Sequence, residues 1–597
     1  MALQRYIIGI DLGTTNCAVA YTDTLEEQDN SPKIHIFPLP QIVNPGLVEE
    51  KDLLPSFSYQ AADDEFPEGS LNLPWQQEPE CVVGTFARER GAEVPHRVIS
   101  SSKSWLSYMG VDRTAPLLPW GADKDVPHIS PIEASSRLLK HIRDAWNHVN
   151  PDFLLQSQEI YLTVPASFDA TARELTVQAA EVAGIPKVTL LEEPQAAFYA
   201  WIQGTQHTWR EKVAVGDAIL VCDMGGGTTD FSLILVSEEN GELVLERVAV
   251  GDHILLGGDN IDLTLAHAIC RRLADEGIKT DSWQMRGLLH SARNAKENMF
   301  QDPDCLAHPV TILGKGRRVI GGSITTELTR QEMEEVILDG FFPRCDRADQ
   351  PTETHETGLK ELGLPYASDP AVTRHLAWFL QRHRHDRKLS GETLSLTSVL
   401  FNGGVMKADP LKQRILEVLK GWHEEETLKV LPSKSLDLAV ACGSVYYGLA
   451  RRGRGVRIRS GTERSYYIGI ETAMPAVPGV PAPVKALCVV PFGMEEGTEV
   501  DLPNREFALV VGQPVSFRFF GSTGRHDDLV GDLIEDWEDA GIEELAPIET
   551  QLTPEEGQDE PSARVRLHMK VMETGTLELW FVSDAKQWKL EFNVRHR

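Results

Sequence analysis

Two stretches far apart in the chain follow one plan, and this repeat constrains the fold more than any other feature. IIGIDLGTTNCAVAY (7–21) and AILVCDMGGGTTDFSLIL (218–235) each run from three or more apolar residues to an Asp, then Gly, then Thr, then a second strand-like run. Each copy reads as a β-hairpin with a Gly-rich turn, and a repeated unit reports duplicated architecture. Gly lets backbone N–H groups approach an anion closely. Thr hydroxyls add donors, and Asp11 and Asp223 fall where strand meets turn. Two such hairpins facing each other would clasp the phosphates of a nucleotide. The two aspartates would then hold a hydrated divalent cation, and Mg2+ suits that place because it keeps its waters and needs few carboxylates. Other phosphate-binding routes are missing from the sequence: there is no GxxxxGK[ST] loop, and no GxGxxG opens a helix after a strand.

The rest of the chain frames this repeat. At 597 residues, 42% apolar and 25% charged, it is an ordinary globular composition spread over several compact units. The formal charge of −31 makes nucleic acid and anionic membranes poor partners. The first apolar run stops at Asp11, so no signal peptide is expected, and no stretch is apolar enough to span a bilayer. The eight cysteines form no CxxC pair, which fits a reducing cytoplasm better than a disulfide scaffold or a zinc site. Ser130, Pro131 and Glu133 announce a helix through IEASSRLLKHIRDAW, and DATARELTVQAAEVA (169–183) reads as a helix stopped by Gly184. Residues 25–130 resist parsing, and 61–80 reads as a surface insertion. RRGRGVRIRSGTERS (451–465) is basic and Gly-containing and reads as a linker. Beyond it period-2 alternation dominates, as in YYIGIE, PVSFRFF and RVRLHMKV, which predicts a small β domain. Within that domain, 521–560 holds fourteen acidic residues against one base, Arg525, and reads as a solvated loop.

With these residues in view, the hairpins resemble the phosphate loops of the actin, sugar-kinase and heat-shock ATPase superfamily. More narrowly, GIDLGTTN, TVPASFDATARE, LEEPQAAFYAW, DMGGGTTDFS, GDHILLGGDNID and FNGGVMKADPL resemble the signatures of seventy-kilodalton heat-shock chaperones (DnaK-like), in that family's order. The resemblance implies an α/β two-lobed actin-like ATPase domain (1–452), a linker (453–465) and a β-sandwich peptide-binding domain (466–597). The helical lid that normally follows the sandwich is not expected here, because the chain stops after KLEFNV. ATP/ADP and Mg2+ are the implied cofactors. The implied partners are unfolded or extended peptide segments, a J-domain co-chaperone and a nucleotide-exchange factor.

Residue by residue, the resemblance gives Gly13, Thr14, Thr15 and Asn16 to phosphate contact from the first turn. From the second turn it gives Gly225, Gly226, Gly227 and Thr228, the last placed among the catalytic groups. Asp11, Asp223 and Glu193 would hold Mg2+ through water, with Asp11 and Glu193 also catalytic. Asp230 would position the attacking water, and Lys103 would be the catalytic lysine beside the γ-phosphate. Gly257 and Gly258 would make a third approach to phosphate, and Lys296, Gly403 and Gly404 would sit on the adenosine side. Pro165 and Arg173 match the family's interdomain switch positions, although a Pro after a strand is ordinary and an Arg on a helix is usually solvated.

The sequence also departs from the family. Its adenosine-clamping helix has Glu, Lys, Arg and Ser, whereas RNAKENMF supplies Arg293, Lys296, Glu297 and Phe300, and only Lys296 agrees. Glu297 cannot stack on adenine as Arg would. The turn GGVMK lacks the usual Ser, and the linker is basic where the family's is apolar and acidic. The expected function is therefore a DnaK-like chaperone whose slow ATP hydrolysis controls peptide affinity. A non-hydrolysing nucleotide-gated scaffold and a small-molecule kinase of the same superfamily are the alternatives.

Overall fold

The hairpins of the sequence repeat pair as expected: β1 (Tyr6–Leu12) with β2 (Asn16–Asp23), and a second pair, Ala218–Met224 with Thr229–Glu239, in the same antiparallel sense. This computed structural model describes residues 4–25, 33–108, 110–122, 126–205, 208–239, 242–251, 254–312, 324–352, 367–383, 396–422, 428–456, 458, 462, 464–472, 483–495, 497–522, 525, 527–538, 540–545, 547–554, 562–572 and 576–593. The chain divides into two compact units, Met1–Arg457 and Ile458–Arg597. Five residues of the basic stretch read as a linker (457, 459–461 and 463) lie outside the described residues. Among the described residues, no helix is long and apolar enough to cross a membrane.

In the first unit, the repeat extends from the hairpins to whole sheets. The first sheet adds β3 (His35–Ile36), β4 (Leu53–Pro55), β5 (Glu159–Val164) and β6 (Thr189–Glu192). Its order is β6-β5-β1-β2-β3, with β4 also paired to β2, and β1, β5 and β6 run parallel. The second sheet is built from β7 (Ala218–Met224), β8 (Thr229–Glu239), β9 (Glu242–Val250), β10 (Leu396–Asn402) and β11 (Lys429–Leu431). Its order is β9-β8-β7-β10-β11, and β7, β10 and β11 run parallel. In both sheets the inner strand of a hairpin begins a parallel run, and in both its Asp is the penultimate strand residue. Asp11 faces Ala18, and Asp223 faces Asp230.

The helices on these sheets start and stop where local chemistry dictates. After the short helix α1 (Ser102–Leu106), Ser130 Oγ accepts the Glu133 N–H at 3.1 Å and starts α2 (Pro131–Val149). Asp169 caps α3 (Ala170–Val182) by accepting from Ala172 N at 2.6 Å. Each sheet packs its helices over its own apolar core. One core contains Ile8, Ile10, Leu139, Trp146 and Leu162; the other contains Leu220, Phe231, Leu265, Val399 and Phe401.

Two stretches differ from expectation. Residues 61–80, read as a surface insertion, bury Leu73 in a small core with Ile42, Tyr59 and Phe86, and the Tyr59 hydroxyl donates to Glu65. Their apolar residues are sparse among prolines and acids, so no period betrays the packing. The acidic stretch after Ser522 is not simply a solvated loop either. It supplies two short edge strands and buries apolar residues within the second unit.

The described elements of that second unit are strands. They include β12 (Ser465–Glu471), β13 (Val484–Val490), β14 (Thr498–Val510), β15 (Phe519–Ser522), β16 (Leu533–Ile534), β17 (Glu543–Glu544), β18 (Ser562–Val571), β19 (Thr576–Val582) and β20 (Gln587–Asn593). One sheet has the order β16-β13-β12-β15-β17 and another β14-β18-β19-β20. Their alternating apolar residues, among them Ile468, Leu487, Leu567 and Leu579, meet in one core.

Candidate functional site

Parallel strands deliver the polar residues of the first unit to one place, the carboxyl ends of both sheets, where open α/β sheets commonly bind ligands. Asp11, Thr163 and Asp223 are the penultimate residues of β1, β5 and β7, and Glu192 and Asn402 end β6 and β10. Glu193 begins α4 (Glu193–Gly204), with Pro194 next to it, an arrangement that suits a helix start.

The two turns touch. A Cβ on Gly226 would lie 1.7 Å from Thr15 Oγ1, so only glycine lets the second turn reach the first. Gly403, at φ 86°, is left-handed backbone, and a Cβ there would meet Met224 O at 2.3 Å. Beside the turns opens a cavity of about 450 Å³. Asp11, Gly13, Thr14, Thr15, Asn16, Glu193, Asp223, Gly225, Gly226, Thr228, Gly258, Lys296, Gly403 and Gly404 line it.

Four expected site residues stand behind that wall. Lys103 is buried on α1 and ion-paired with Glu193. Asp230 is buried and accepts from Ser167 Oγ at 2.7 Å. Gly227 packs against Thr14 and Ser104. Gly257 donates its N–H to Asn260 Oδ1 at 2.9 Å, and Gly258 donates to Gly225 O at 3.1 Å. The Gly257 amide thus caps its own helix, α5 (Gly258–Asp275), while Gly258 and Asp259, whose N–H donates to Gly226 O at 2.8 Å, tie that helix to the second turn. Ser101, just before α1, has φ 54°, a strained value for a non-glycine residue, and its hydroxyl donates to Asp259 at 3.0 Å.

The electrostatics centre on Glu193. Burial, then the Glu193 carboxylate, raises Asp11, Asp223 and Asp230 each to about 7. Thr163 donates to Asp11 at 3.2 Å and Asn402 to Asp223 at 2.9 Å, which partly offsets the rise. Burial alone would lower the Lys103 ammonium, but Glu193 and Asp11 outweigh it and hold its pKa above the usual value. Four carboxylates thus crowd one ammonium, and further positive charge would relieve them.

On the far side of the cavity, α6 (Ser282–Gln301) presents Arg293, Lys296, Glu297 and Phe300. Arg293 binds Asp259 and Asp262, both at 2.6 Å, and Lys296 reaches Asp262 at 2.7 Å. Asp262 stays below its ordinary value although burial opposes it, because Lys296 and Arg293 flank it.

Sequence reasoning missed Thr163, Ser167, Asn402 and Asp262. Asn402 was legible as the residue that precedes Gly403, and Asp262 as the acid four residues after Gly258. It also missed the role of Glu192, which is 1% exposed and meets Arg247 at 3.0 Å and Arg173 at 3.5 Å. Arg173 is accordingly a buried partner rather than a solvated charge.

These features define a class of protein in which paired Gly- and Thr-bearing hairpin turns meet beside a cavity at the ends of two like sheets. Residues 75–352 match the family model described as Hsp70 protein, a span that includes Lys103, Glu193, the second turn and Lys296. Over that span the chain is similar to the Hsp70 family, and a domain of that family implies the actin-like ATPase fold. The chain is 29% identical over 398 residues to the chaperone protein HscA homolog of Pseudoalteromonas atlantica. That alignment takes in 64% of this chain and 55% of the relative, so the chain spans about half the length of the curated relative it matches.

Proposed function

We propose that this chain is a chaperone ATPase: it binds ATP and Mg2+ between its two hairpin turns and hydrolyses ATP slowly. Turnover would shift the two halves of residues 1–452, one built on each sheet, and so tune the affinity of residues 466–597 for unfolded or extended polypeptide. A J-domain co-chaperone and a nucleotide-exchange factor are the partners of this cycle, and the cytoplasm is its compartment. The observation that carries the reading is the contact between the turns of Thr15 and Gly226 beside a cavity ringed by carboxylates with a buried lysine behind them.

The residues present fit both ligands. Thr15 Oγ1 is buried with no hydrogen-bond partner among the described residues, a donor set for a phosphate oxygen. The raised aspartates favour a cation. Among the described residues, no three His, Cys, Asp or Glu side chains gather to ligate a metal directly, so Asp11, Asp223 and Glu193 would hold Mg2+ through its waters. When bound, Mg2+ supplies positive charge against the phosphate oxygens.

The chain's own groups supply the rest. Lys103, fixed by Glu193 in a buried site, is a preorganised positive charge aimed at the cleft, and such charges act strongly where water is excluded. Asp230, held by Ser167 and hydrogen-bonded by Thr228, is an acceptor that orients a water. Phosphate release is the test. Lys103→Ala should lower turnover by on the order of 100-fold, while an unfolded polypeptide should change the wild-type rate. Equal near-zero rates in both proteins would leave only a nucleotide-gated scaffold.

A further inference from the structure

The acidic stretch after Ser522 folds back over its own β unit. It pairs with one edge of the three strands β13-β12-β15 at Ile534 and Leu533, against Ala486 and Leu487, and so becomes an edge of the five-stranded sheet. It then crosses the face turned away from the second sheet and pairs with the opposite edge, Glu544 against Phe520 and Glu543 against Gly521. In crossing, it lays Trp537, Ala540 and Ile542 on a floor of Tyr467, Ala486, Cys488 and Phe520. The Trp537 ring lies 4.6 Å from Phe520, and its indole N–H donates to Val484 O at 3.0 Å.

The rim of this face is cationic. Arg518 sits over Phe520 at 5.2 Å and over Trp537 at 5.3 Å, and it grips Glu544 through two hydrogen bonds of 2.6 and 2.7 Å. Lys485 pairs with Glu535, and Arg464 reaches Glu543 at 3.6 Å. Arg464 Nε is buried with no hydrogen-bond partner among the described residues.

An aromatic floor with a cationic rim selects an acidic chain with an aromatic anchor, and the covering segment has that chemistry. Hydrogen bonds also hold it: the Tyr467 hydroxyl donates to Asp528 at 2.6 Å, Gly531 N–H to Cys488 O at 2.9 Å and Leu545 N–H to Phe519 O at 2.8 Å. Each edge strand is two residues long, and Glu535 and Glu544 are 69% and 40% exposed, so their ion pairs contribute little. Among its apolar contacts the half-buried Trp537 is the largest, beside the buried Ile542, and an aromatic anchor commonly carries a large share of an interface.

We propose that this face is a docking site for an extended acidic polypeptide segment bearing an aromatic anchor, and that the chain's own Leu533–Ile534, Trp537 and 540–545 occupy it in cis. An incoming segment takes the edge pairing and the Trp537 position together, the mode of strand addition. The inference rests on the reading of this unit as a polypeptide binder, names the class of segment it takes, and is independent of ATP hydrolysis.

The test titrates the full chain by fluorescence anisotropy with three labelled probes. One copies residues 530–545, one is the same peptide with Lys for every Asp and Glu, and one is a reduced, unfolded polypeptide. Trp537→Ala should bind the acidic copy about tenfold or more tighter than wild type, the scale of losing one anchor. Adding Arg518→Glu to that variant should abolish the gain, and the basic copy should stay unbound. If Trp537→Ala loses the circular dichroism of the β unit, the surface variant Glu535→Gln/Glu544→Gln should show a gain of the same sign but smaller, about twofold to fivefold, the scale of exposed ion pairs. Unchanged affinity in the opened variants, or equal binding of the basic copy, overturns the proposal; if the unfolded polypeptide still binds, client binding survives. Binding of none of the three probes overturns both readings.

Discussion

Burial makes individual residues of the first unit chemically unlike their solution counterparts. Lys103 sits on the five-residue helix Ser102–Leu106, where an exposed lysine would be ordinary, yet it is 4% exposed and locked to Glu193. His141 shows the same effect away from the cleft. Its Nε2 lies 2.9 Å from Pro40 O, so the neutral ring donates there, and burial lowers its pKa from 6.5 to about 4. Between these two values the unfolded chain binds a proton that the folded chain refuses. Stability from this residue is therefore complete above 6.5 and is lost as pH falls toward 4. The drop from 6.5 to about 4 corresponds to about 3 kcal/mol. His141→Gln can keep a donor to Pro40 but cannot titrate, so its urea midpoint should fall less than that of wild type between pH 6.5 and 4.5. Equal falls would mean that the ring is already charged in the fold.

At the level of elements, helix starts were legible because their signals are local. Ser130, Pro131 and Glu133, and Asp169 with Ala172, lie within one turn of each other and act there. The hairpin pair was legible for the same reason: strand, turn and Asp are contiguous. The contacts that join elements were not. Glu192 looks like a spare acid beside Glu193, but it ends β6 and pairs with Arg173 of α3 and Arg247 of β9. It therefore bridges the first sheet to the second. No spacing rule links residues so far apart, and each charge taken alone reads as solvated. Removing a buried carboxylate from between two guanidiniums costs more than the pair contributed, because the cations remain buried. Glu192→Gln should lower stability by about 3 kcal/mol in urea unfolding. The triple change to apolar residues of similar volume should come out near wild type. A single variant within about 0.5 kcal/mol of wild type, the range of surface substitutions, would show that water already solvates the cluster.

Across the whole molecule, the legible and illegible parts follow charge and period. Strand alternation after 465 announced the β unit, since every second residue is apolar and buried, as in Ala563, Val565, Leu567 and Met569. The acidic stretch hid its role because Trp537 and Ile542 are isolated among acids and make no period, although both serve the core beneath them. The division into residues 1–457 and 458–597 carries a thermodynamic expectation. A ligand stabilises only the structure that holds it, by RT ln(1 + [L]/Kd), or about 2.7 kcal/mol at one hundred times Kd. The turns, the carboxylates and the cavity all belong to the first unit. Calorimetry should resolve two transitions, and ADP with Mg2+ should raise the one belonging to residues 1–457 by a few degrees. Trp537→Ala should lower only the other, because its contacts lie within residues 458–597. A single transition that moves as one in both experiments would mean that the two units unfold together, and that nucleotide and the Trp537 contact act on one cooperative body.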